Sequence, residues 1–363
     1  MVPKNCTILH HYFQKLQVLS HLAYVVAITA KVGLGKDPLA AKCQGVVFLG
    51  ISLVLLLPRW HFKGVNEPCQ SLNAFLTFEK TIRKNGPLPT PSMEDKILAL
   101  FLKLLAITSV VIPLMVIVMQ LHSPCAVPFF GSMSPYCEKN VWTPPCPSVR
   151  VGMFAVEYWI WLHIAYEGTF FMFYTFFVAI VCMLDYLKYV ERLIKDLGNG
   201  GDSDENKDIP VAQVFRTYRC IQLLDKVQNS AMKGQVVPAV LGLIPQIQVF
   251  SLFVCIRLYA SIQLPNFLLF PLILTDATVV NLVINTLAAG VHTNSSLVLK
   301  NMTRGLQTFP VRSGFRKELR ACQPTKVQFG QNFVDKGTPL VIENFCFNST
   351  VSLLLFHGRT SHD

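Results

Sequence analysis

The sequence contains few charged residues and no recognisable catalytic motif. Only 15% of its 363 residues are charged, whereas 52% are hydrophobic, and soluble domains are typically about a quarter charged. A phosphate-binding loop, a GxSxG nucleophile elbow, an HExxH zinc motif and a CxxC pair are all absent. These absences exclude an ordinary soluble domain and predict a protein that is not an enzyme, has no metal site and needs no cofactor.

Long apolar segments take up much of the sequence instead. A bilayer core about 30 Å thick is crossed by about 20 apolar residues in a helix, because backbone polar groups in lipid must bond to each other. Seven segments fit this requirement: 17–34, 44–60, 97–121, 151–184, 236–259, 265–291 and 339–356. The predicted fold is all-α, a polytopic membrane helical bundle of seven transmembrane helices in a single domain, 1–363. Helical patterns also predict cytoplasmic extensions at about 185–235 and 292–337.

The distribution of Lys and Arg predicts the orientation of these spans. With the amino terminus inside the cell, the inner segments hold 24 basic residues and the outer segments hold 5. Cytoplasmic segments of membrane proteins carry an excess of Lys and Arg. We therefore expect the amino terminus inside and the carboxyl terminus outside, which is opposite to a G-protein-coupled receptor. The net charge of +11 is then a membrane-topology signal, and we expect the lipid bilayer, not nucleic acid, as a partner.

Four of the eleven cysteines fall on the outer side in this topology. They are Cys43, Cys125, Cys137 and Cys146. An even number of cysteines in an oxidising compartment predicts two disulfides with three possible connectivities. The alternative, four free thiols, stays open at this stage.

Candidate ligand-binding residues cluster in the fourth span, which is rich in aromatic side chains. Acidic groups at depth are costly and tend to face the bundle interior or water, and aromatic residues with a few polar groups commonly line a small-molecule pocket. An interfacial aromatic belt also explains Tyr158, and a structural ion pair also explains Asp276 in the sixth span. The candidates are Glu157, Tyr158, Trp161, His163, Tyr166, Glu167 and Asp276.

Candidate pore-lining residues lie in the seventh span. Asn344, Asn348 and Ser352 recur at every fourth residue, so they share one face of a helix. Val351 borders this face, and Leu355 lies on its apolar outer turn. A polar face closed by an apolar constriction is typical of a pore that gates by dewetting. Packing through hydrogen bonds between helices is the alternative.

The whole arrangement resembles the insect odorant and gustatory receptor superfamily. The matching features are seven spans, an inside amino terminus, long cytoplasmic extensions and a short polar last helix. Ahead of that helix stands Gly330-Gln331-Asn332-Phe333, which is similar to the Gly-x-x-Phe element of the family. The resemblance implies a chemosensory receptor of the plasma membrane that acts as a ligand-gated cation channel. It implies a homo- or hetero-tetramer with a pore lined by the last helices and a small organic ligand in the outer half of each bundle.

A secondary transporter of a small solute is the competing function. Transporters often contain helices broken by Pro near the middle of the membrane, and Pro113, Pro238 and Pro245 lie within predicted spans. Many transporters also contain internal repeats, and the sequence has none that is visible. The sequence therefore favours the receptor channel.

Overall fold

The computed structural model of the chain is built almost entirely from α-helices. It describes residues 8–59, 66–85, 93–134, 137–138, 141–142, 146–168, 175–199, 208–262, 264, 266–308 and 313–360. Within these ranges the helices are α1 (Ile8–Leu34), α2 (Leu39–Leu56), α3 (Asn66–Asn85), α4 (Met93–His122), α5 (Pro147–Gly168), α6 (Val178–Asn199), α7 (Asp208–Met232), α8 (Val236–Arg257), α9 (Leu269–Thr308), α10 (Ser313–Ala321) and α11 (Thr338–Thr360). Two short antiparallel hairpins pair β1 (Cys137–Glu138) with β2 (Val141–Trp142), and β3 (Gln328–Phe329) with β4 (Asn332–Phe333).

Five helices of the described residues are long and apolar enough to cross a membrane. They belong to α1, α2, α8, α9 and α11 and coincide with the first, second, fifth, sixth and seventh predicted spans. The chain is therefore a multi-pass helical membrane protein. The count of seven spans and the sides on which the two termini lie stay predictions.

The region predicted as the third and fourth spans is helical in its described parts. α4 covers the third span, and its part Ser109–His122 is a shorter apolar stretch within the described residues. Over 151–184 the structure describes α5, a π-helical turn at 175–177 and the first part of α6, while residues 169–174 lie outside the described residues. α5 packs against α1, α2 and α4, whereas α6 packs against α7 and α9. The single fourth span over 151–184 stays a prediction, because residues 169–174 between α5 and the π-helical turn lie outside the described residues.

The segments between the spans form further helices. α9 continues from the sixth span into the predicted extension as one helix of 40 residues. α7 occupies much of the other predicted extension, and α3, which the sequence analysis did not anticipate, packs against it. α7 buries side chains at a spacing of three or four residues, as expected for an amphipathic helix. These side chains are Val211, Val214, Phe215, Tyr218, Ile221 and Leu224.

α7 holds the connection that leads to the last helix. Asn229 Nδ2 donates to the carbonyl oxygen of Lys326 at 2.8 Å, and its Oδ1 accepts from the backbone nitrogen of Gln328, also at 2.8 Å. The β3–β4 hairpin follows, and its turn begins at Gly330 with φ of +56°. A side chain at such a φ meets steric strain that glycine avoids. The Gly-x-x-Phe element is therefore a tight hairpin turn.

The start of α11 is fixed by a side-chain cap. Asp335 Oδ1 accepts hydrogen bonds from the backbone nitrogens of Gly337 at 3.1 Å and Thr338 at 2.9 Å. The Thr338 hydroxyl also donates to it at 2.7 Å, and these hydrogen bonds hold the pKa of the exposed Asp335 carboxyl below its usual value. Satisfying the first free backbone N–H groups of a helix in this way sets where the helix begins.

The hairpin turn gives a first testable expectation. Gly330→Ala should destabilise the folded protein by about 1 kcal/mol, because an L-residue at positive φ costs about that much. The change should lower the midpoint of thermal unfolding of the detergent-solubilised chain by a few degrees. Gly337→Ala is the matched control, since Gly337 lies in the same connection without a positive φ. An equal shift in both variants would contradict this role of the turn.

Candidate functional site

An aromatic cluster lies between α1, α2, α5 and the connection that follows α4. We call Tyr24, Phe48, Phe129, Phe130 and Trp161 the aromatic cluster. The ring centroid of Trp161 lies 6.1 Å from that of Tyr24 and 5.8 Å from that of Phe48, both edge to face. The Tyr24 and Phe130 centroids are 5.2 Å apart. All five rings are buried or half-buried, and such rings provide the kind of wall that surrounds small organic ligands.

Glu157 places a carboxyl group beside this cluster. Its side chain is fully buried, and its Oε2 accepts from Gln120 Nε2 at 2.5 Å and from the backbone nitrogen of Phe130 at 3.3 Å. In the described part of the chain, Glu157 Oε1 and Gln120 Oε1 are buried and accept no hydrogen bond. Buried polar atoms normally have partners. These two oxygens are therefore free to accept hydrogen bonds from a ligand or a water molecule.

His163 lies in a second polar group, one and a half turns further along α5. Its Nδ1 is 2.7 Å from the carbonyl oxygen of Trp159, so this ring nitrogen carries the proton. Arg59 interacts electrostatically with His163 and lies 3.2 Å from His21, measured from Nη1 to Nδ1. His21, Arg59 and His163 are all buried. His163 thus contacts a cationic neighbourhood, whereas Glu157 faces the aromatic cluster.

The other predicted ligand-binding residues are not brought together with Glu157 and Trp161. Tyr166 is 66% exposed, since nine residues along a helix place it about 180° from Glu157. Tyr158 is half-buried, and the side chain of Glu167 in α5 lies outside the described residues. Asp276 on α9 is exposed, because it lies about 140° around the helix from Asn281, which faces the interior. The predicted pocket therefore retains Glu157 and Trp161 as its centre.

Five residues of this site were missed in the sequence, three of them in predicted spans and two, Phe129 and Phe130, in the connection after α4. Tyr24, Phe48 and Gln120 come from the first, second and third spans, and each meets the fourth-span region across a long separation in sequence. Gln120 carried a usable signal, because an amide near the end of an apolar segment is as unusual as the carboxyl of Glu157. Tyr24 and Phe48 carried none, since aromatic side chains are frequent throughout the spans.

The connection after α4 carries one disulfide, between Cys125 and Cys137, whose Cα atoms are 5.8 Å apart. Phe129 and Phe130 lie inside the loop that it closes. Cys43 and Cys146 are not disulfide-bonded. Cys43 lies on α2 and packs into the hydrophobic core of the bundle, where it behaves as a small apolar residue. The expectation of two disulfides from four cysteines is thus corrected to one, which braces the loop over the aromatic cluster.

α11 presents one face to the bundle and another to the outside of the chain. All five predicted pore-lining residues have exposed side chains, namely Asn344, Asn348, Val351, Ser352 and Leu355. Cys346 and Thr350 are buried on the side that packs against α8 and α9. The helix therefore carries the amides of Asn344 and Asn348 and the hydroxyl of Ser352 on the side away from its own bundle.

Hydrogen bonds along the exposed face of α11 are local. Asn348 Nδ2 donates to Asn344 Oδ1 at 3.2 Å, and Ser352 Oγ donates to the carbonyl oxygen of Asn348 at 2.9 Å. These bonds satisfy part of the polar capacity of the face. Two amides and a hydroxyl turned towards lipid would still be costly, so the face needs water or another protein chain beside it.

A buried chain of polar side chains joins α11 to its neighbours. Gln248 on α8 donates through Nε2 to Glu343 Oε2 at 2.9 Å and accepts at Oε1 from Asn281 Nδ2 on α9 at 2.6 Å. Gln248 and Asn281 are 5% and 1% exposed. We call Asn281, Gln248 and Glu343 the amide relay; it connects the three helices at one point.

Comparison with known proteins finds a similar fold and no similar sequence. No family model and no curated protein matches the chain. The solved structure of the insect olfactory receptor OR5 from Machilis hrabei matches over 97% of this chain and 91% of that chain, with a TM-score of 0.60 and 10% identity. The same receptor in complex with eugenol matches over 98% and 93%, with a TM-score of 0.61 and 12% identity.

The match covers almost the whole of both chains. It therefore concerns the overall arrangement of the helices and not one part of the chain. Identities of 10% and 12% carry no residue correspondence by themselves. The chain has the fold of an insect olfactory receptor.

Proposed function

We propose that this chain is a subunit of a chemosensory ligand-gated cation channel and a divergent member of the insect odorant and gustatory receptor superfamily. The observation that carries the proposal is the exposed polar face of α11, with Asn344, Asn348 and Ser352 turned away from the bundle. In a membrane this face is stable only against water or protein. A water-filled pore between subunits supplies both.

A single α11 cannot enclose such a pore, so several copies must meet around it. We propose a tetramer, formed by this chain alone or with related subunits. The polar faces of the four last helices line the inner stretch of the pore, and Val351 and Leu355 form its apolar outer turn. An apolar ring of this kind closes a pore to ions when it is narrow enough to exclude water.

The aromatic cluster with Glu157 is the proposed ligand site. Its rings offer apolar and stacking contacts, and the unbonded oxygens of Glu157 and Gln120 accept hydrogen bonds. This combination suits a small aromatic molecule that carries a hydroxyl group. Eugenol, which is bound in the similar receptor structure, has this chemistry and is the first probe to use.

The proposal is tested by topology and current in the same cells. The full chain is expressed alone and with a related receptor subunit, with an epitope at residue 1 or residue 363. We expect the carboxyl-terminal epitope to be stained on intact cells and the amino-terminal one only after permeabilisation, because of the distribution of Lys and Arg. Eugenol or a related small phenol should evoke a cation current. The reverse staining, or no current at normal surface staining, would refute the proposal.

A further inference from the structure

α2 and α8 approach each other closely beside the aromatic cluster. A Cβ at Gly50 would lie 2.9 Å from Cγ1 of Ile247, so glycine is what allows the two helices to pack at this distance. Phe48, two residues before Gly50, contacts Trp161 in the aromatic cluster. The contacts of α2 with the aromatic cluster and with α8 therefore lie within one turn of that helix.

The same point on α8 leads directly to α11. Gln248 follows Ile247 in the chain and forms the centre of the amide relay to Glu343. One turn earlier on α8, the carbonyl oxygen of Pro245 accepts a hydrogen bond from Cys346 Sγ at 3.7 Å. Glu343 and Cys346 are three residues apart and share a face of α11. α8 and α11 are thus joined by two contacts on one side.

The amide relay has polar capacity that its present arrangement leaves unused. Glu343 Oε1 and Asn281 Oδ1 in the relay are buried and form no hydrogen bond within the described ranges, and neither does the buried Nδ2 of Asn285, one turn further along α9. A network with spare donors and acceptors can exchange one set of hydrogen bonds for another. Coupling between distant sites requires an element with two such discrete arrangements.

We propose that Gln248 and Glu343 are coupling residues, which pass the state of the aromatic cluster through the Gly50–Ile247 contact and α8 to the last helix. This inference rests on the proposed function, since it names how the ligand site acts on the pore. Movement of α2 against α8 shifts Gln248. The amide relay then changes its hydrogen bonds, and α11 changes its position relative to α8 and α9.

A double-mutant cycle on the purified full chain tests this coupling without a ligand or a current. The readout is the hydrogen-exchange rate of the backbone amides of α11, measured by mass spectrometry. Phe48→Leu removes the ring contact with Trp161 while keeping an apolar side chain. We expect it to change the α11 exchange rate about two- to thirty-fold, the range that couplings of this kind span. The change should disappear in a Gln248→Leu background.

Gly50→Ala perturbs the contact between α2 and α8. It provides a second, independent test if Phe48→Leu does not fold. It should also change α11 exchange in the wild-type background and not in Gln248→Leu. Ser251→Ala is the control, because Ser251 is buried on the same helix and takes no part in the amide relay. In that background both perturbations should keep their full effect.

The outcomes separate the coupling from the proposed function. Additive effects of Gln248→Leu with both perturbations, or equal losses in Ser251→Ala and Gln248→Leu, overturn the coupling while leaving the channel proposal in place. Unchanged α11 exchange in Phe48→Leu and Gly50→Ala overturns it as well. Loss of current or reversed topology in the earlier experiment refutes the channel and does not alter the result of this cycle.

Discussion

A small charged thiol reagent is expected to abolish most of the ligand-evoked current when a cysteine replaces Asn348, Ser352 or Leu355. These three side chains are exposed on one side of α11, and we propose that this side lines the pore. A charged group attached there narrows the pore and repels or displaces permeating cations. The reaction should be faster in the open state, because Leu355 belongs to the apolar turn that excludes water when the pore is closed. The measurement is the current remaining after reagent exposure, with and without ligand.

The chain contains its own control for this experiment. Cys346 is buried on the opposite side of α11, and Cys146 is exposed directly before α5, which packs against α1, α2 and α4. The wild-type current should therefore resist the reagent. Leu353→Cys is the matched variant, since Leu353 is half-buried against the core. Equal block at 353 and 352, or no block at any of the three positions, would remove α11 from the pore.

The polar face of α11 is the part of the site that the sequence predicts best. The helical period alone places Asn344, Asn348 and Ser352 on one face, because they are spaced four residues apart. The structure places these three residues and both of the bordering apolar residues on the exposed side. Which side of a helix faces the bundle is a different question. For α11 it is settled by Cys346 and Thr350, which pack against α8 and α9.

The aromatic cluster shows where prediction from the sequence stops. Spacing identifies residues that share a helical face, but it does not say which segments meet. Gln120 and Glu157 are 37 residues apart, and only the packing of α4 against α5 brings them together. Tyr166 and Trp161 are both aromatic and both lie well inside the same predicted span. Trp161 is nonetheless buried in the aromatic cluster, whereas Tyr166 is exposed on the other side of α5. The residue type alone cannot decide which of the two lines the site, because either side chain could form a wall of a small-molecule pocket.

The elements between the spans illustrate a second limit. α3 lies in a segment with several basic residues, and Phe75, Phe78 and Ile82 share one of its faces. The helical period does not say which element that face packs against. The role of α3 depends on α7, against which it packs. The β3–β4 hairpin is also set by tertiary contacts, since Asn229 on α7 supplies two of the hydrogen bonds that hold the chain ahead of it. Only the turn can be predicted from the local sequence, because it contains Gly330.

Glu157→Gln is expected to raise the concentration of eugenol needed for half-maximal current about two- to ten-fold. A hydrogen bond between uncharged groups contributes about 0.5–1.5 kcal/mol, and the amide of Gln retains the shape of the side chain while its NH2 group accepts no hydrogen bond. The free acceptor is Glu157 Oε1, which is buried beside the aromatic cluster and unbonded among the described residues. In the proposed site it accepts the hydrogen bond of the phenol hydroxyl.

A pair of ligands makes this prediction specific to that hydrogen bond. The methyl ether of eugenol keeps the ring and loses the donor, so Glu157→Gln should change its half-maximal concentration far less than that of eugenol. Tyr166→Phe is the control variant, because the exposed Tyr166 side chain lies on the other side of α5, and it should leave both ligands unaffected at normal surface staining. An equal loss of sensitivity to eugenol and its methyl ether in Glu157→Gln would show that the carboxylate shapes the cluster without binding the hydroxyl. An unchanged response to both ligands would place the ligand elsewhere in the bundle.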